Sequence, residues 1–240
     1  MRVLVISDIH GNQPALEAVL KDAGKVDAVW CLGDLVGYGP FPSECVSRVR
    51  ELPNLTCLMG NHDSAVLGQI ELETFNRDAR LSVNWTQEAL DAAGMEYLRG
   101  LPERAQQDGV TLVHGSPRNP IWEYLLDAYT AADNFYYFDT DLCLTGHSHL
   151  PLMYHLEDRM LSWGMLSPDG PMPVLERMIL NPGSVGQPRD NDPRASYAIY
   201  LPEQHTWHLH RVEYDIKRVQ DKIIKSGLPH RHAMRLEQGN

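Results

Sequence analysis

No apolar run in this chain approaches the ~20 residues that a membrane-spanning helix needs, so no helical membrane span is expected. The first residues read as a strand and no small-residue cleavage site follows an apolar segment, so no secretory leader is expected either. Cysteine is scarce. Cys31, Cys45, Cys57 and Cys143 show no paired spacing, and three of them lie in expected strands. That pattern argues against disulfides and thiolate metal ligands and for buried free thiols in a reducing cytoplasm. Basic residues are outnumbered, with 21 Lys and Arg against 32 Asp and Glu and a formal net charge of −11. The balance weighs against non-specific nucleic-acid binding. It leaves a phosphate-bearing substrate open, because bound metal changes the local charge. Internal repeats and linker-like stretches are also missing, so a single domain over residues 1–240 is expected, with 213–240 a closing helix and a polar, fraying tail.

What the chain does contain is a recurring layout. Five short apolar runs each end in Asp, Asn or His, usually beside Gly. They lead to Asp8-Ile9-His10, Gly33-Asp34, Gly60-Asn61-His62-Asp63, His114-Gly115 and Gly146-His147-Ser148-His149. Between the first two runs, Asn12 is placed to cap a helix with Pro14 near its start, Leu16, Val19 and Leu20 on one face, and Gly24 at its stop. A β-α-β unit follows, which implies parallel strands in the first sheet. A second helix is expected from about 43 to 52, and helical structure from 64 to 101 with Leu81, Trp85, Ala89, Ala92 and Ala93 as its buried stripe. Later segments read as a helix within 122–135, strands at 110–113, 142–145, 150–161 and 174–180, and a surface loop at 164–173. A hairpin of 197–201 with 206–212 comes next, then a closing helix at 216–226.

In open α/β sheets, ligands bind at the carboxyl ends of strands. Five strands ending in carboxylate, amide or imidazole can therefore converge on one site. A single strand-end His is an ordinary turn residue; an ordered set of seven candidates is not. Oxygen and nitrogen donors without sulfur suit Mn, Fe, Zn, Co or Ni better than Ca. Seven donors are too many for one tetrahedral metal and a natural number for two ions sharing a carboxylate. Among the other candidates, Asp63 either orients His62 or caps the next helix. His155, His208 and His210 read as strand-face residues, and His230 and His232 as tail residues without chemistry; Arg77, Arg80, Arg189 and Arg194 could face phosphate, with a solvated surface the favoured reading. Asn181 to Gly186 is either a structural turn or part of a phosphate pocket.

In order and spacing, these motifs resemble those of the calcineurin-like metallophosphoesterases, over residues 1 to about 198. The likeness is greatest to the compact bacterial branch of YfcE-like phosphodiesterases and diadenosine-tetraphosphatase-like proteins, with Asn181-Pro182-Gly183-Ser184-Val185-Gly186 adding to it. The resemblance implies a sandwich of two mixed β-sheets flanked by helices. It implies a metal-dependent phosphoesterase with two divalent ions, manganese foremost. Asp8, His10, Asp34 and His149 would hold one ion, and Asp34, Asn61, His114 and His147 the other. A hydroxide activated between the ions would attack the phosphorus of a diester or anhydride in line, with His62 at the leaving oxygen. The expected substrate is a small phosphate ester, a nucleotide or a dinucleoside polyphosphate, with no membrane partner and a cytoplasmic location. A phosphomonoesterase or protein phosphatase of the same superfamily, or a non-catalytic scaffold on the same fold, are the alternatives. One departure bears on them. Protein phosphatases of the family carry Gly-Asp-x-Val-Asp-Arg-Gly in the second motif, whereas this chain reads Gly33-Asp34-Leu35-Val36-Gly37-Tyr38-Gly39.

Overall fold

The computed structural model describes residues 1–240. In chain order the elements are β1 (Val3–Ile6), α1 (Gln13–Ala23), β2 (Ala28–Cys31), α2 (Pro42–Arg50), β3 (Leu55–Cys57), α3 (Asn61–Val66), α4 (Arg77–Ala89), α5 (Ala92–Arg99), β4 (Arg104–Gln107), β5 (Val110–Val113), α6 (Ala128–Asn134) and β6 (Leu142–Leu144). They continue with β7 (Leu152–Glu157), β8 (Met160–Met165), β9 (Met172–Pro173), β10 (Met178–Leu180), β11 (Ala195–Leu201), β12 (Thr206–Val212), α7 (Ile216–Lys225) and α8 (His230–Gln238). Two six-stranded sheets result, ordered β3-β2-β1-β11-β12-β9 and β4-β5-β6-β10-β7-β8. Both are mixed: β1, β2 and β3 run parallel while β11 is antiparallel to β1, and β10 is parallel to β6 but antiparallel to β7.

The alternation of side chains along β1 explains the layering. Val3 and Val5 point into the space between the sheets, with Trp30 and Leu32 beside them and Leu112, Leu144 and Leu180 of the second sheet opposite. Leu4 and Ile6 point the other way, onto Leu16 and Val19 of α1 and Val46 and Val49 of α2. Because β1 is covered on both faces, it reads as an uninterrupted apolar run. On the far side of the second sheet, Ala131 and Phe135 pack against Cys143, Tyr154 and Ile179. The four cysteines are buried and free. No helix is long and apolar enough to cross a membrane.

The cap expected at α1 forms: Asn12 Oδ1 accepts from the Ala15 N–H at 3.2 Å, and Asn12 Nδ2 donates to Gly186 O at 2.9 Å. Such a cap contributes about 1 kcal/mol, and here it also ties α1 to the 181–186 segment.

Several expectations need correction. The stripe on the helical stretch is displaced: Leu81, Ala89, Ala92 and Ala93 are exposed and Trp85 is half-buried, while α4 buries Ala79, Ser82, Val83 and Thr86. The Ser82 and Thr86 hydroxyls donate to the carbonyls of Ala79 and Ser82, so two polar residues sit buried at no hydrogen-bonding cost and disguise the inner face. The segment 150–161 is a hairpin, β7 turning into β8 through Asp158 and Arg159, both at positive φ. Part of the expected 164–173 loop is strand, in β8 and β9. Residues 174–177 precede β10 and lie outside it. β4 was not expected; its alternation of exposed and half-buried residues lacks an apolar signal. The C-terminal residues form α8, whose His232, Ala233 and Leu236 are buried; Ala233 and Leu236 pack with Val219 and Ile223 of α7.

Candidate metal centre

The strand-end residues converge as the layout suggested, and the backbone that delivers them is unusual. Asp8, His10, Asp34, His147 and His149 all have φ between 49° and 61°. Non-glycine residues adopt this left-handed conformation rarely and at a cost of order 1–3 kcal/mol, so its concentration in one place marks a site that the surrounding fold enforces. The enforcing contacts are visible. Asp8 N donates to Gly33 O at 3.0 Å, His10 N to Asp34 O at 2.9 Å, and Gly186 N to Asp8 O at 2.9 Å. The glycines between them are there for space: a Cβ on Gly60 would lie 2.1 Å from Asp34 Oδ1, and one on Gly186 would lie 1.9 Å from Ile9 O.

Each of four imidazoles has one nitrogen committed to a main-chain carbonyl: His10 Nδ1 to Val36 O (3.1 Å), His114 Nδ1 to Leu32 O (2.9 Å), His147 Nε2 to Trp122 O (3.1 Å) and His149 Nδ1 to Gln187 O (2.5 Å). A carbonyl only accepts, so the committed nitrogen carries the hydrogen and the neutral ring turns a lone pair elsewhere. In His10 and His149 the two free nitrogens face each other at 3.1 Å. Burial pushes both histidines well below the ordinary imidazole range, which leaves lone pair against lone pair unless a cation sits beside both. The carboxylates tell the same story. Asp8 Oδ1 and Asp34 Oδ2 are buried without a hydrogen-bond partner. Asp8 Oδ1 lies 3.3 Å from His149 Nε2, and Asp34 Oδ2 lies 3.5 Å from His10 Nε2 and 3.4 Å from His114 Nε2.

Two groups with metal-binding spacing follow, Asp8 with His10 and His149, and Asp34 with His114 and His147; a third joins His10, Asp34 and His62. Asn61 Oδ1 lies 3.1 Å from His114 Nε2, so the amide belongs to the second group. The donor set fits two divalent cations: partnerless carboxylate oxygens, imidazole lone pairs, and carbonyls behind the imidazoles that orient them. Without metal the charges redistribute. Burial opposes a charge on either Asp34 or His114, but the two hold each other ionised, with His114 pushed up to about 9 and the Asp34 carboxyl held well below its usual range.

His62 sits at this centre, 4.9 Å ring to ring from His10, with its main-chain N–H donating to Asp34 Oδ1 at 2.8 Å. Burial pushes it down to about 4; Asp34 opposes that, and Arg189 and His114 add to it. Its Nδ1 has no partner, and a Cβ on Gly37 would lie 2.5 Å from that atom. Asp63 is a cap, not the orienting group: its carboxylate accepts from the N–H groups of Gly60 (3.0 Å) and Val36 (3.1 Å). Asn181 to Gly186 behaves as a structural turn. Asn181 Nδ2 donates to Gly146 O, Ser184 Oγ to Asp8 O, and Val185 N to Ser7 O.

Three residues here were missed in the sequence or assigned elsewhere, and Tyr38 of the second motif joins them. Tyr124 stacks on His147 at 3.7 Å, and the Tyr38 ring lies 4.3 Å from His62 and 4.7 Å from His10. His232, expected in an inert tail, is buried, with its ring 4.8 Å from Tyr38 and its Nε2 on Asp78 O. Arg189, expected in solvent, has a buried Nε without a partner, and its charge bears on Asp8, His10, His62, His147 and His149.

Comparisons with known proteins add to this geometry. The model of the "Calcineurin-like phosphoesterase superfamily domain" matches residues 1–205. The crystal structure of a metallophosphoesterase from Sphaerobacter thermophilus superposes with a TM-score of 0.91 at 48% identity, covering 100% of this chain and 99% of that one. Uncharacterized protein MJ0912 of Methanocaldococcus jannaschii is 40% identical over 95% of this chain and 93% of its own. Phosphodiesterase YfcE of Escherichia coli is 28% identical over 51% of this chain and 72% of its own.

Proposed function

The chain belongs to the calcineurin-like phosphoesterase superfamily, and from that premise we propose that it hydrolyses phosphodiester or phosphoanhydride bonds with two divalent metal ions. The observation that carries the reading is the pair of His10 and His149 lone pairs set against each other beside the partnerless, buried Asp8 Oδ1. Asp8, His10, Asp34 and His149 would hold one ion and Asp34, Asn61, His114 and His147 the other, with manganese the first candidate and Fe, Zn, Co or Ni compatible. Such a pair supplies Lewis acidity to the phosphoryl oxygens and to the attacking water.

The chain's own residues do the rest. The carbonyls of Val36, Leu32, Trp122 and Gln187 keep the four rings in one tautomer and one orientation. His62, pushed down to about 4, is neutral near pH 7 and serves the leaving oxygen as an N–H donor stabilising the developing charge. The main-chain hydrogen bond to Asp34 Oδ1 holds it there. Gly37 and Tyr38 favour diesters and anhydrides over phosphoprotein monoesters. A side chain at 37 would collide with His62 Nδ1, so no carboxylate stands behind that ring, and an aromatic ring replaces the arginine of the protein phosphatases. A monoester dianion, which carries more charge, suffers more from a missing guanidinium.

The name of the YfcE relative supports the diester side of this reading. A non-catalytic scaffold would have no use for the full donor set. The test is kcat/KM for matched aryl monoester and diester substrates with each candidate metal, followed by a phosphopeptide. Metal-dependent turnover with the diester favoured is expected. No turnover with any metal, or a preference for the phosphopeptide, overturns the proposal.

A further inference from the structure

In a chain with a net charge of −11, one face beside the site is cationic. The turn between α7 and α8 brings Arg231, His232 and Arg235 against the start of α4. There they join Asn76, Arg77 and Asp78 around a cavity of about 390 Å³. Arg48, Arg99, Arg118, Arg194 and Arg211 each pair with a carboxylate; Arg77 and Arg231, like several other arginines of the chain, pair with none. Arg235 gives its Nε to the main-chain oxygen of Asn240 at 2.7 Å, and burial, Arg189 and Arg231 all bear down on its charge. The lone carboxylate of the lining, Asp78, lies beyond ion-pair distance of every arginine, and its main-chain oxygen takes His232 Nε2 at 3.2 Å. His232 is 2% exposed and its Nδ1 has no partner.

Two buried rings stand between the cavity and the metal centre. His232 lines it on one side and meets Tyr38 at 4.8 Å on the other, and Tyr38 lies 4.3 Å from His62. Arg189 is the cation that bears on both ends, since its charge acts on His62 and on His232 and Arg235.

We propose that this cavity is a second phosphate subsite, which receives an anionic group of the substrate beyond the phosphoryl that is attacked. This rests on the phosphoesterase reading and narrows it to substrates with two or more linked phosphates. Guanidinium forks match phosphate oxygens in geometry and charge, and unpaired arginines crowded together are stabilised by such an anion more than by water. A polynucleotide is a poorer occupant, because the cations form one compact cluster in an acidic protein and not an extended stripe.

The test compares AMP with adenosine 5′-(α,β-methylene)diphosphate, which differ by one phosphate. Binding of each to the metal-loaded protein is measured by calorimetry, for wild type and for the double variant Arg77→Gln, Arg231→Gln. Both side chains are exposed on helix surfaces, so the fold tolerates the change. The variant should lose about tenfold or more in affinity for the diphosphate analogue and far less for AMP. Equal losses for both probes, or no loss, overturn the subsite. So does tighter binding of a single-stranded RNA oligomer than of the analogue with the same arginine dependence. Turnover is read separately. Discriminating binding without hydrolysis keeps the subsite and refutes the proposed reaction, and hydrolysis without discrimination refutes the subsite alone.

Discussion

Gly60→Ala isolates positioning from ligation. Gly60 has φ −97° and ψ 174°, a conformation that alanine adopts freely, so no backbone strain is introduced. The added methyl would nevertheless lie 2.1 Å from Asp34 Oδ1, 2.3 Å from Asp34 N and 2.7 Å from Asp34 Cγ. Ordinary contact requires the carboxylate, together with the Asp34 main chain, to retreat by about 1 Å. That carboxylate stands between His10 and His114 and accepts the His62 N–H, so all three relationships shift together. A displacement of that size near the chemistry costs on the order of 10²-fold in rate. Overpacking of this kind costs about 1–3 kcal/mol, a fall of roughly 2–12 °C in Tm for a chain of this size. The assay pairs kcat/KM on an aryl diester with metal content after dialysis and a thermal melt. Gly164→Ala, where a Cβ meets nothing within 4 Å, is the control and should change none of them. Wild-type turnover and full metal content in Gly60→Ala would refute the idea that this close approach sets the Asp34 carboxylate.

Three further outcomes are expected. Asp34→Asn keeps an acceptor for the His62 N–H but removes the charge shared by both groups, so the variant should retain fewer than two metal equivalents after dialysis and lose nearly all turnover; two full equivalents by elemental analysis would count against a bridging role. His62→Ala should leave metal content intact and lower kcat by about 10²–10⁴-fold, with the smallest loss for substrates with good leaving groups; an equal loss across leaving groups contradicts its place at the leaving oxygen. In the metal-stripped protein His114 keeps its proton to about 9, against an ordinary 6.5 in the unfolded chain. Its stabilising contribution is therefore complete below pH 6.5 and is lost as pH rises toward 9. The Tm of the stripped protein should fall across that window and fall less in His114→Gln, and a flat profile in the wild type would refute the assignment.

The sequence by itself determined which residues meet. Each ligand candidate follows an apolar run of strand length, so the candidates after β1, β2 and β3 gather at one edge of the first sheet and those after β5 and β6 at one edge of the second, and the packing of the sheets brings the two edges together. The Asn12 cap and the Gly24 stop of α1 were readable for the same reason, since a few neighbouring residues decide them. What needed the tertiary structure depends on partners far along the chain. The free nitrogen of His149 is set by Gln187 O, and that of His114 by Leu32 O, 82 residues away. The left-handed backbone at Asp8 and Asp34 is imposed by neighbouring loops, and neither residue favours it by itself. Ser82 and Thr86 hid the inner face of α4 because their hydroxyls are satisfied within the helix. α8 reads as a polar tail until α7 offers it an apolar surface, and only that docking carries His232 to Tyr38 and its arginines to the rim. Local sequence encodes propensity and donor chemistry, whereas orientation, tautomer and local charge are properties of the packed neighbours.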